Sequence, residues 1–219
     1  MPIIDKDPCA RVTDRLRLEP IMGAHADDYF LVFQDEAIAE WYAGKPTREE
    51  AQRDANEAER IWNSIGFHKW LVYEREEDTV VGRGGLSIMR LHAHDGAIRS
   101  FLPQEAWADE WVGNNETGLL ARRWAEIGWA LRGEYWDRGY AAEIGRAGLR
   151  SAFDDLDMRA VVAFTERHNR RSRAVMERIG MAYAGEFLGN GLIEGHQGVH
   201  DGAPFSLYVA LQDTWQPKG

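Results

Sequence analysis

Residues 125–143 read AEIGWALRGEYWDRGYAAE. Ala125 to Leu131 has the apolar, β-branched and aromatic content of a strand, Arg132 to Arg138 forms a turn, and a helix follows from about Gly139 to Phe153. The segment Trp136-Asp137-Arg138-Gly139-Tyr140-Ala141 therefore stands where a helix opens, with its first backbone N–H groups unpaired. Such a terminus suits a phosphate. Gly139 removes the side chain at the closest approach, Ala141 keeps the turn narrow, and Arg138 adds charge, so main chain would cradle most of a pyrophosphate. Taken alone, a glycine at a helix start equally describes an ordinary strand-to-helix turn.

Working outward, Thr13 to Pro20 alternates polar and apolar residues as a short strand does. Tyr29, Phe30, Phe33, Ala37 and Trp41 recur at helical spacing, predicting one helix from Ala24 to Tyr42 that Gly44 and Pro46 stop. Thr47 and Glu50 are spaced as a capping box for a second helix running to about Ser64, with Gly66 at its end. His68 to Tyr73 and Thr79 to Leu91 form a hairpin around the charged turn Glu74 to Asp78. His92 to Trp124 keeps no period and reads as a long insertion. Downstream, Arg159 to Thr165 is a strand and Arg170 to Ile179 an amphipathic helix ended by Gly180. Met181 to Leu188 and Phe205 to Leu211 are a last strand pair, separated by a loop rich in glycine (Gly189, Gly191, Gly195, Gly198, Gly202). Strands early and alternating strand and helix later predict an α/β (α+β mixed) layout with a mixed sheet, in a single domain over residues 1–219.

Composition excludes several classes. The chain has 219 residues, 44% hydrophobic and 28% charged, which suits a soluble globular protein. One cysteine, Cys9, can build neither a disulfide framework nor a thiolate zinc site, and points to a reducing, cytoplasmic setting. No membrane span or signal peptide is visible. No membrane is therefore expected as a partner, and a formal net charge of -10, which repels phosphate backbones, argues against nucleic acid. The basic run Arg167 to Arg173 is the local exception. It fits contacts to coenzyme phosphates, or a solvated basic turn, better than RNA.

About thirty residues beyond the glycine turn come His168-Asn169-Arg170-Arg171-Ser172 and Val175-Met176-Glu177-Arg178-Ile179-Gly180-Met181. Together the two segments resemble the GCN5-related N-acetyltransferases (the GNAT superfamily), and within it the RimJ/RimL branch. TDRLRLEP near the N-terminus and SLYVALQDTW near the C-terminus are similar to that branch's first and last strands. The resemblance implies a GNAT fold: a central, mostly antiparallel twisted sheet with splayed middle strands, flanked by helices. It implies acetyl-CoA as co-substrate, no metal, and direct acetyl transfer to a primary amine in a ternary complex. Trp136 stands where the wider superfamily has Arg or Gln, an aromatic being common in this branch. Met176 stands where many members carry a tyrosine that protonates the leaving thiolate.

Amine acetylation needs a proton acceptor, an oxyanion donor and a way to accommodate the thiolate. By resemblance Glu126 is the general base acting through water, though a solvated strand-end carboxylate fits the same residue. Ser172 is a donor to the leaving sulfur, or a routine first-turn serine. Asn169 contacts the pantetheine arm, or caps the helix after it. Backbone groups of Trp129, Ala130 and Leu131 would pair with pantetheine as an added strand does. Trp136, Arg138, Gly139, Tyr140, Ala141 and Ala142 complete the coenzyme site. Gly128 would mark a bulge that parts the strands. His92, His94, Asp95, His196 and His200 make a metal site only on paper.

Trp107 and Trp111, among Glu105, Asp109, Glu110 and Glu116, combine acid and aromatic surface that would attract an organic cation, or else anchor a loop or a dimer contact. Trp41 lines the same cleft by family analogy, whereas Phe30 and Phe33 read as core. The acceptor is thus either a protein N-terminal α-amine or a small cationic amine, and the chain a monomer or homodimer. The alternative is a catalytically inactive acyl-CoA sensor or interaction module on the same fold.

Overall fold

A computed structural model describes residues 9–42, 44–88, 98, 100–102 and 124–216. Eight strands form one sheet: β1 (Arg11–Val12), β2 (Leu16–Pro20), β3 (Lys69–Glu74), β4 (Thr79–Ser87), β5 (Trp124–Leu131), β6 (Ala160–Glu166), β7 (Ala182–Leu192) and β8 (Val199–Leu211). Their order is β1-β2-β3-β4-β5-β6-β8-β7, and every neighbouring pair is antiparallel except β5 and β6. The sheet is therefore mixed and mostly antiparallel, as the sequence predicts.

Alternation decides which face each residue serves. In β2, Leu16 and Leu18 are fully buried while Arg17 and Glu19 are only partly so. One face packs on α4 (Tyr140–Arg150) and α5 (Arg170–Arg178) through Trp70, Val72, Ile127, Leu131, Ile144 and Met176. The other packs on α1 (Ala26–Phe33), α2 (Glu36–Ala39) and α3 (Arg48–Ile65) through Leu71, Ala130, Val32, Ile38 and Ala55. A third cluster joins Ile98, Leu102 and Trp124 to Phe187, Phe205 and Leu207 at the β8 end.

The α3 boundaries follow the chemistry read from the sequence. Thr47 Oγ1 accepts from the Glu50 N–H, the Glu50 carboxylate accepts from the Thr47 N–H at 2.8 Å, and Gly66 ends the helix at φ +79°. The single helix expected from Ala24 to Tyr42 is instead a short turn at Gly23–His25 followed by α1 and α2. Asp35 causes the break. Its backbone is extended, its Oδ1 accepts from the Ala37 N–H at 2.9 Å, and its Oδ2 accepts from the Gly133 N–H at 3.2 Å. An aspartate that finds two backbone donors outside the helix has no reason to continue it.

The glycine-rich stretch before Pro204 is also mostly strand. β7 runs to Leu192 and β8 begins at Val199, leaving only residues 193–198 as loop. A Cβ at Gly191 would lie 2.5 Å from the Phe205 ring, so glycine there admits close packing and does not mark a turn. The helix after Gly139 ends at Arg150 and continues as a π turn over Ser151–Asp155, two residues past the expected boundary at Phe153.

Asp35→Ala should lower stability by about 1 kcal/mol, read as a fall in melting temperature of about 2–4 °C. Asp35→Asn, which caps equally well, should recover most of that loss; if it does not, capping is not what Asp35 contributes.

Candidate active site

β5 and β6 run side by side for three residue pairs and then part. Glu126 opposite Val162 is the last pair. Beyond it, β5 stays in register with β4 from Ile127 opposite Leu86 to Leu131 opposite Gly82, while β6 pairs with β8. The β6-facing edge of residues 127–131 thus has no strand partner, and its backbone groups face a gap. The gap comes from this divergence. The β4 register passes through Gly128 unbroken, so the bulge expected there is absent. Gly128 serves a different purpose: a Cβ on it would stand 3.2 Å from Lys69 Nζ and 3.6 Å from Glu126 Oε1. Glycine leaves room for both charged groups.

The gap opens into a cleft of about 480 Å³. Its floor is β5 from Glu126 to Leu131, its far wall Phe164, Thr165 and Glu166 of β6, and its mouth the N-termini of α4 and α5. The α4 terminus is a tight turn with Asp137 at φ +59° and Gly139 at φ +82°, conformations that favour glycine at the second position. It presents Gly139, Tyr140, Ala141 and Ala142 to the cleft. The α5 terminus presents Asn169, Arg171 and Ser172. Two helix N-termini and one cation facing the same space make an anion-attracting mouth.

Trp136 fixes this mouth. Its Nε1 donates to the Leu131 carbonyl at 2.8 Å, and the Arg171 guanidinium lies 4.6 Å from its ring centroid. The indole thereby ties the turn to the end of β5 and holds a cation beside it. Asn169 Oδ1 accepts from the Ser172 N–H at 3.1 Å, so Asn169 caps α5 as well as lining the cleft. Trp41, after α2, also lines it and stacks on His168 with centroids 5.5 Å apart, linking the α2 side to the β6–α5 loop.

The structure brings together in this cleft every described residue expected at the site except Arg138. The Arg138 side chain is half exposed, turned towards Glu74 (3.9 Å) and lying over Tyr135 (5.1 Å). Arg171 faces the cleft instead. Tyr140 likewise directs its hydroxyl to Glu74. Of the other arginines in the 167–173 run, Arg167 meets Glu186, and Arg173 meets the Tyr208 hydroxyl and the Arg167 carbonyl. His196 and His200 meet backbone carbonyls, and no metal-binding group occurs among the described residues. Trp107, Trp111, Glu105, Asp109, Glu110, Glu116, His92, His94 and Asp95 lie outside the described residues. Phe33 is core, as expected, but Phe30 is only partly buried, under the Arg48 guanidinium.

Three charged groups went unread in the sequence. Glu126, Gly128 and Ala130 share one face of β5, and their partners on β4 and β3 bring Lys69 and Arg83 to that same face. Lys69 lines the cleft, mostly buried, with Nζ 3.9 Å from Glu126 Oε1. Burial pushes its ammonium down to about 8, Glu126 partly opposing and Arg83 reinforcing the drop. Arg83 does not itself line the cleft; it packs against the rings of Phe33 (5.0 Å) and Tyr42 (5.1 Å), which touch each other edge to face. Glu166 is the third, on the β6 wall.

A sequence model of the acetyltransferase (GNAT) domain matches residues 15–182. The chain belongs to the GNAT acetyltransferase family. An uncharacterised Bacillus subtilis protein, YkkB, is 25% identical over 174 residues, covering 79% of this chain and 85% of that one. The B. subtilis N-acetyltransferase YnaD, itself uncharacterised, is 36% identical over 62 residues, 28% of this chain and 36% of that one. Among solved structures, a GNAT-family acetyltransferase from Bacillus anthracis superposes with a TM-score of 0.64 at 18% identity, covering 93% of this chain and 99% of that one. A ribosomal-protein-S5-alanine acetyltransferase from Vibrio fischeri gives 0.65 at 15% identity, covering 95% and 99%. These structural likenesses show the GNAT fold.

GNAT domains bind acetyl-CoA, and this cleft suits it: an unpaired strand edge for an amide-bearing arm and a helix-terminus mouth for a pyrophosphate. The buried Lys69 ammonium makes a separate prediction. Its folded value of about 8 lies below the ordinary 10.5, so the unfolded chain binds more protons between those pH values. Stability should therefore rise with pH from about 8 to about 10.5, by up to ~3 kcal/mol for a difference of this size. Lys69→Met should remove that rise and stabilise the protein at pH 7. Parallel urea-denaturation curves across this pH range for both proteins would contradict the assignment.

Proposed function

We propose that this GNAT protein transfers an acetyl group from acetyl-CoA directly to a primary amine while both substrates are bound. The observation that carries the reading is the placement of Glu126 at the point where β5 and β6 part, in one cleft with Ser172 and both helix termini. Acetyl-CoA would supply the activated acetyl thioester. Gly139, Tyr140, Ala141 and Ala142, with Arg171 and Trp136, would hold its phosphates. Residues 129–131 would align its amide-bearing arm along the free edge of β5, and a β5 N–H would face the carbonyl where charge develops.

Glu126 is the proton acceptor in this scheme. Its carboxylate lies 3.9 Å from Lys69 Nζ and is partly exposed, so a water can pass the amine's proton to it. Ser172 would donate a hydrogen bond to the departing sulfur, in place of the tyrosine that Met176 lacks. Met176 is buried, 2% exposed, and offers no proton. Cys9 does not line the cleft, so a covalent acetyl-enzyme has no nucleophile there from cysteine. Holding the two substrates together supplies much of the rate gain by positioning alone.

Coenzyme A thiol release on an amine panel tests the reading. Glu126→Gln should lower kcat by about 100-fold or more and leave the acetyl-CoA Kd within a factor of about two. Ser172→Ala should lower kcat by about tenfold, the scale of one hydrogen bond to a charged group. Normal turnover at saturating substrates in either variant removes that residue from the mechanism.

A further inference from the structure

Lys69 and Arg83 project from the same face as Glu126, and the Arg83 charge helps to depress the Lys69 ammonium. One carboxylate, Glu126, stands 3.9 Å from Lys69. Arg83 has none within ion-pair distance among the described residues; burial works against its charge, and Tyr42, Tyr29, Glu126 and Asp54 favour it from a distance and raise it overall. Its Nε is shut off from solvent and has no hydrogen-bond partner. Phe33 and Tyr42 pack against the guanidinium at 5.0 and 5.1 Å, leaving the donors along its edge. An arginine keeps its charge at any working pH, and a buried, unpaired charge is costly. Such a group is retained where a ligand supplies the counter-charge.

The place of Arg83 says which ligand. Its cross-strand partner Ala130 and its ring neighbour Tyr42 both line the cleft, as do Lys69 and Glu126. The anion needed is therefore part of whatever sits beside Glu126, which on the reading above is the acceptor amine. We propose that the acceptor is a small amine that itself carries an acid group, with α-amino acids as the simplest class, and that Arg83 and Lys69 hold its carboxylate while Glu126 faces its amine. A polyamine would bring further positive charge up to Lys69 and Arg83. This inference rests on the acetyl-transfer reading, and it departs from the cationic acceptor that the sequence suggested.

The experiment begins with acetyl-CoA binding to the purified full chain, followed by tryptophan fluorescence. Thiol release is then measured on free α-amino acids, the same compounds as carboxamides, and putrescine and spermidine. The expected result is at least one amino acid with kcat/KM tenfold or more above its carboxamide, and polyamines below both. In Arg83→Gln the acid-to-amide ratio should fall towards one, whereas Arg83→Lys should keep part of the preference. The wild-type comparison stands even if a variant does not fold. Carboxamides or polyamines used as well as acids, or no acid acetylated by a protein that binds acetyl-CoA, overturns the pocket assignment and leaves the transferase reading in place. Failure to bind acetyl-CoA overturns the transferase reading itself, and this inference with it.

Discussion

The parting of β5 from β6 after the Glu126–Val162 pair is the constraint on which the rest of the structure depends. A parallel ladder that continued would satisfy the edge of residues 127–131 internally and close the sheet. Because it stops, one strand edge is left with backbone donors and acceptors, and the cleft inherits an extended partner site without any dedicated side chain. The divergence is sustained from both sides. β4 keeps β5 in place through six consecutive pairs, while β8 draws β6 away through seven. The Trp124 side of the gap is fixed by the cluster of Ile98, Phe187 and Phe205, and the Leu131 side by the Trp136 hydrogen bond.

Sheet alternation then divides the chemistry. Residues 127, 129 and 131 face α4 and join its apolar core. Residues 126, 128 and 130 face α1 and α2, where Lys69 and Arg83 join them. One strand therefore presents a dry face for packing and a charged face, with the unpaired edge between them. Gly128 keeps the centre of this face open enough for Lys69 to lie across it, whereas a Cβ on its partner Gly85 would meet the Trp70 ring at 2.5 Å.

Much of this was legible in the sequence because it depends on local signals. The strand, turn and helix of residues 125–143, the capping box at Thr47 and the stops at Gly66 and Gly180 are each fixed by neighbours a few residues away. What escaped depends on distant partners. Asp35 breaks a helix because Gly133, almost a hundred positions on, offers a second donor. Gly191 sits in a strand because of Phe205. Arg138 looked like a cleft cation from its place in the turn, yet its side chain turns to Glu74 and Tyr135, and Arg171, beside Trp136, lines the cleft. Lys69 and Arg83 look like ordinary strand residues until register sets them beside Glu126.

Backbone amide exchange with and without acetyl-CoA tests the central claim most directly, since the claim is that one free strand edge and one helix terminus hold the coenzyme. The account predicts slowed exchange at residues 128–131 and 140–142 on binding, with little change in β7 and β8. Binding that leaves residues 128–131 unprotected would contradict it, because the gap between β5 and β6 would then not be where the coenzyme lies.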